Sequence, residues 1–219
     1  MLGNGPDDTV FPGFMGCGNC EWAGPAHEIM ELAKITGRPI PKFSGKTVVD
    51  QYSAYSGYNP QTGENDNGSY TQEVIMWRQN KGIYDDSGTV HKIGQASYLE
   101  PGNLDQLWAG AYLFDCVGVG VQFQQAQMDQ FDSQKPWDYV AGSPVEGGHY
   151  IVVPGNNGLI SWGARIGWNP GWYQHLNDES YIYLSVERYN QVTGLSAEHY
   201  KDIDLSKFIN LVAKQKAQA

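Results

Sequence analysis

Cys17-Gly18-Asn19-Cys20-Glu21-Trp22 is the stretch on which the reading of this chain turns. Trp22, Ala26, Ile29, Met30 and Ala33 then recur at steps of three and four, the pattern of one apolar helix face, and Gly37 with Pro39 stops the run. The spacing predicts a helix over 20–34 with Cys20 in its first turn. A helix N-terminus carries about half a positive charge, so a thiol placed there ionises more readily, and the thiolate is the form that attacks or ligates. Cys20 is therefore the first candidate for chemistry.

Upstream, residues 1–18 are mostly Gly, Pro and Asp with isolated apolar side chains, the composition of an irregular segment. They lack the basic and apolar regions of a secretory signal, and no stretch approaches the roughly 18 apolar residues of a membrane span. The expectation is a soluble chain made in the cytoplasm. Its three cysteines, Cys17, Cys20 and Cys116, cannot all pair internally, which argues against a disulfide framework. Cys17 and Cys20 form a C-x-x-C, the spacing of a redox pair or of half a zinc site. The other half of a zinc site is missing: there is no second C-x-x-C, the five histidines are scattered, and His27 adds at most a third ligand. No metal or other cofactor is expected. With 24 acidic against 14 basic side chains the net charge is −10, which repels phosphate backbones and argues against nucleic acid as a partner.

Downstream, residues 46–55 read as a short helix or turn and 59–68 as a polar, Gly-bearing surface loop of the sort that lines clefts. Ser69 with Gln72 has the form of a capping box opening a third helix that stops at Lys81-Gly82. A strand is expected over 90–99, and Leu104, Leu107, Trp108, Ala111 and Tyr112 hold helical spacing as far as Phe114. The period then changes to two. Cys116-Val117-Gly118-Val119-Gly120-Val121-Gln122-Phe123 alternates as a buried strand does, with Cys116 a small core hydrophobe. Residues 124–134 are polar, with Met128 and Phe131 as anchors. His149 opens a strand that Pro154-Gly155-Asn156-Asn157 turns into Gly158-Leu159-Ile160-Ser161-Trp162-Gly163, a further strand is expected over 181–184, and a helix over the tail.

A cysteine at a helix start followed by a strand-borne histidine is the minimum for an activated thiol: the imidazole takes the proton and the sulfur attacks a carbonyl. The ordered landmarks Cys17-Gly18-Asn19-Cys20-x-Trp22, Gly148-His149-Tyr150-Ile151-Val152 and Ser161-Trp162-Gly163 resemble the papain-like cysteine peptidase fold. A nearer resemblance is to papain-like proteins of bacteria and their phages, carried by Leu2-Gly3-Asn4, Gly18-Asn19-Cys20, Ala23-x-x-x-His27, Ser161-Trp162-Gly163 and Asp178-Glu179-Ser180. The resemblance implies an α+β fold in one domain of two lobes, mainly helical over about 1–115 and mainly β over 116–190, with a helical tail over 196–219.

Two positions depart from the pattern. The family carries an orienting Asn before its Ser-Trp-Gly, where this chain has Ile160, which leaves Ser161 as the nearest polar substitute. The family's oxyanion donor is a Gln shortly before the cysteine, where Phe14 stands; by the nearer resemblance Asn4 supplies the amide. One function implied is a cysteine hydrolase of peptide or amide bonds with Cys20 as nucleophile, His149 as base, Ser161 as orienter and Asn4 at the oxyanion. The other is a catalytically retired scaffold acting as a structural or binding protein, such as a phage virion component. Its basis is the lost Asn and the Glu21 carboxylate beside the thiol.

Overall fold

The structure, a computed structural model, describes residues 17–155 and 158–185. Asn4, Phe14, the irregular segment 1–16, the turn residues 156–157 and the tail 196–219 lie outside the described residues. Those described form two compact units, one made of 17–94, 161–164 and 185, the other of 95–155, 158–160 and 165–184. The chain is α+β.

In the first unit, α1 (Cys20–Ile35), α2 (Gly45–Ser56) and α3 (Thr71–Asn80) surround one apolar cluster. The helix face read from the sequence is the one that packs: Trp22, Ala26, Ile29 and Met30 meet Phe43, Val48, Val49, Tyr52, Val74 and Ile83. Local chemistry sets the ends of α2. The Ser44 hydroxyl accepts from the Thr47 N–H, and Gly57, at φ 75°, takes the left-handed conformation that closes the helix. Ser69 does not cap α3, contrary to the capping-box reading. That helix starts at Thr71, Tyr70 stands at its N-cap, and the Ser69 hydroxyl accepts instead from the Trp22 indole N–H at 3.0 Å. Arg78 of α3 donates from Nη2 to both carboxylate oxygens of Glu28 on α1 at 3.0 Å, with both side chains buried. Two-residue strands β1 (Ile83–Tyr84) and β2 (Val90–His91) pair antiparallel.

A sheet of order β3-β8-β4-β5-β6-β7 carries most of the second unit. Its strands are β3 (Ile93–Leu99), β4 (Cys116–Gln124), β5 (Val145–Pro154), β6 (Leu159–Ser161), β7 (Ala164–Ile166) and β8 (Asn177–Ser185). The alternating run read from the sequence is β4, at the centre, antiparallel to both β5 and β8. Val117 sits opposite Val153 and Ile182 and Val119 opposite Ile151, while Val121 at the other end faces His149 and Asn177, and the interleaved glycines leave room for large neighbours. A Cβ on Gly118 would lie 1.9 Å from the Tyr150 hydroxyl, which bonds the Tyr183 hydroxyl at 2.9 Å.

Helix α4 (Leu104–Phe114), capped by the Asn103 side chain, packs on β4 within this unit, as does α6 (Pro170–Leu176). Residues Gln125–Asp132 form helix α5, which the sequence reading left as a polar run. Polar bonds define this helix: Gln124 and Gln127 form a reciprocal capping box, and buried Gln127 donates to the Asp138 carbonyl at 2.7 Å.

Candidate active site

Cys20 is the first residue of α1 and is partly buried, at the positive end of a 16-residue helix. Asn19 precedes it with ψ 16° instead of the extended value of a capping residue, and its side chain makes no capping bond. Its amide is buried, and its Nδ2 has no hydrogen-bond partner among the described residues. The Asn19 carbonyl receives the first helical bonds, from Trp22 and Ala23, and the Asn19 N–H closes a tight turn onto the Cys17 carbonyl at 2.9 Å. The thiol therefore leaves a backbone fixed on both sides.

The two cysteines sit in different settings. Burial first, then the nearby Asp66 carboxylate, push the Cys17 thiol up to about 11, and Tyr58 contacts it through its hydroxyl. Cys17 is thus a protonated thiol packed against the apolar cluster. Glu21, the neighbour of Cys20, is buried and accepts a bond from the Thr71 hydroxyl. Among the described residues no group of three or more His, Cys, Asp or Glu side chains could hold a metal ion.

His149 belongs to the second unit, in β5 opposite Val121 of β4. The strand begins four residues earlier than the sequence suggests, because Gly147 and Gly148 pair with Phe123 and Gln122. The imidazole lies 5.3 Å from the Phe123 ring, edge to face, and 6.4 Å from the Trp137 ring. That apolar setting removes water from the charged form and lowers the His149 pKa to about 4, so the ring is neutral at pH 7. A neutral imidazole is the form that accepts a proton.

Ile160 of β6 pairs with Val152 of β5. Strand alternation puts Val152 on the face opposite His149, so Ile160 shares that opposite face. Ser161, which belongs to the first unit, is buried. The turn that follows, Trp162 at φ 46° and Gly163 at φ 67°, has the two consecutive left-handed residues of a two-residue hairpin and joins β6 to β7. A tryptophan in that conformation is a steric outlier, and such strain collects at functional sites.

Sequence reasoning passed over Asp66 and Tyr52. The Asp66 carboxylate accepts from the Gly18 N–H and from the Tyr52 hydroxyl, both at 2.7 Å. The only sequence signal for it was the polar loop 59–68 in which it lies.

No protein-family model matches the chain, and no curated protein matches it. Solved structures do. A cysteine protease of Carica candamarcensis, CMS1MS2, solved in complex with E-64, is similar with a TM-score of 0.53 and 16% identity over 78% of this chain and 90% of that one. Xylellain, a cysteine protease from Xylella fastidiosa, gives a TM-score of 0.55 and 13% identity over 78% and 80% of the two chains. Digestive procathepsin L 3 of the Tenebrio molitor larval midgut gives 0.50 and 13% over 83% and 66%. The fold is papain-like.

Proposed function

We propose, from the papain-like fold, that the protein is a cysteine hydrolase of amide bonds, a peptidase or amidase. The observation that carries this reading is the partly buried Cys20 thiol as the first residue of α1, the residue that the resemblance of the sequence makes the nucleophile. In the reaction, His149 takes the thiol proton as the sulfur bonds to the substrate carbonyl carbon, and the carbonyl electron pair moves to oxygen. Collapse of that oxyanion breaks the C–N bond, and the proton on His149 passes to the departing amine. Water then hydrolyses the thioester, with His149 again accepting the proton, and Cys20 is regenerated. The Cys20 N–H and the Asn4 amide are the proposed oxyanion donors, and Ser161 the proposed polar group oriented toward His149.

A second reading, a binding protein on the same scaffold, rests on Ile160, which offers no acceptor where an orienting Asn is expected. Incubation with a peptide library, with new termini identified by mass spectrometry, separates the two. The hydrolase produces cleavages that Cys20→Ala abolishes. A library left intact by the wild-type protein contradicts this reading.

A further inference from the structure

The residues around Cys20 are bonded, one after another, to a single segment 47 to 50 positions further along the chain. The Gly18 N–H donates to Asp66, the Trp22 indole to Ser69, and Thr71 donates to Glu21. Tyr52 completes the arrangement: its hydroxyl donates to the same Asp66 oxygen at 2.7 Å and accepts from the Gly68 N–H at 3.0 Å. The contact is close. A Cβ on Gly18 would lie 2.9 Å from both the Cα and the N of Gly68 and 3.1 Å from Asp66 Oδ1, so only glycine fits at position 18. Residues 66–71 therefore form a strap laid along the turn that presents the thiol.

Asp66 is the member of this strap that reaches the turn before Cys20. It lies in a loop braced from within, where the Asn65 side chain donates to the Gly57 carbonyl and the Asn59 N–H to the Glu64 carbonyl. A carboxylate bonded to a backbone N–H makes a stronger bond than a neutral acceptor does. On its other flank is Cys17, whose thiol is held protonated by burial and by this same carboxylate.

We propose that Asp66 is a positioning residue for Cys20: by gathering the Gly18 N–H and the Tyr52 hydroxyl on one carboxylate oxygen, it closes the strap 66–71 over turn 17–19 and fixes the start of α1. The role rests on reading Cys20 as the nucleophile. It also assigns the two cysteines different fates, with Cys20 presented for reaction and Cys17 kept silent beside the acid.

The test is alkylation of the full chain by iodoacetamide between pH 7 and 9, with modification of Cys20 and Cys17 followed separately by peptide mass spectrometry. In the wild type Cys20 reacts at least about tenfold faster than Cys17 at pH 8, as expected when only one of two thiols ionises in that range. Asp66→Ala removes acceptor and charge: Cys20 slows, Cys17 accelerates, and the two rates converge. Asp66→Asn keeps an acceptor for Gly18 without the charge, so Cys20 recovers its rate while Cys17 still accelerates at high pH. General loosening of the fold would instead raise both rates together. The two readings fail separately. A wild type in which Cys20 is no faster than Cys17 overturns the nucleophile reading and the positioning role with it. An unequal wild type that Asp66→Ala leaves unchanged overturns the role of Asp66 alone.

Discussion

His149 carries the chemistry of the account most heavily, and its setting makes it pH-sensitive in a defined window. Its pKa, lowered to about 4 by burial beside Phe123 and Trp137, lies below the ordinary value of 6.5. The unfolded chain therefore binds a proton that the folded chain excludes. The stability this contributes is fully present above about pH 6.5 and is lost as pH falls toward 4. Thermal melts should show a melting temperature that declines through this window, and His149→Gln should flatten the decline. Phe123→Ala should move the titration of the ring up toward 6.5, read from the His149 ring proton in an NMR pH series, and lower stability by about 3 kcal/mol for the lost ring. The helix start at Cys20 was legible in the sequence because it has a local signature. Asp66 was not, since a carboxylate in a Gly- and Asn-rich loop gains its meaning from an N–H 48 residues away.

Among the elements, the strongly periodic ones were legible and the polar or very short ones were not. The alternation of β4 and the three-and-four spacing of α1 come from the packing of one face, which the sequence records directly. Helix α5 is held by glutamine side chains bonded to carbonyls, and β7 has three residues, so neither leaves an apolar period. Close packing at β4 makes a sharp prediction. Gly118→Ala sets a methyl against the Tyr150 hydroxyl and breaks its bond to Tyr183, which should lower stability by about 2 kcal/mol or more in denaturant titrations. Tyr150→Phe in the same chain should recover part of that loss, because it removes the nearest clashing atom. The α1–α3 junction predicts a second asymmetry. Arg78→Met leaves Glu28 buried without its charged partner and should lower stability by about 3–5 kcal/mol, whereas replacing both residues by apolar ones of similar size should lower it much less.

The landmarks Cys20, His149 and Ser161-Trp162-Gly163 come in papain-like order, and the backbone is papain-like at identities of 13–16% to solved cysteine proteases. Order and spacing survive such divergence because they follow from topology. The strand order β3-β8-β4-β5-β6-β7 was not legible, because pairing between strands distant in the chain leaves no local trace. Among the described residues no helix is long and apolar enough to cross a membrane. The central claim, that Cys20 and His149 act as one proton-transferring pair, is tested most directly by the rate of Cys20 alkylation at pH 7 in the wild type and in His149→Gln. The variant should react about tenfold or more slowly, as expected when the general base that takes the thiol proton is removed. Equal rates in the two proteins would contradict it.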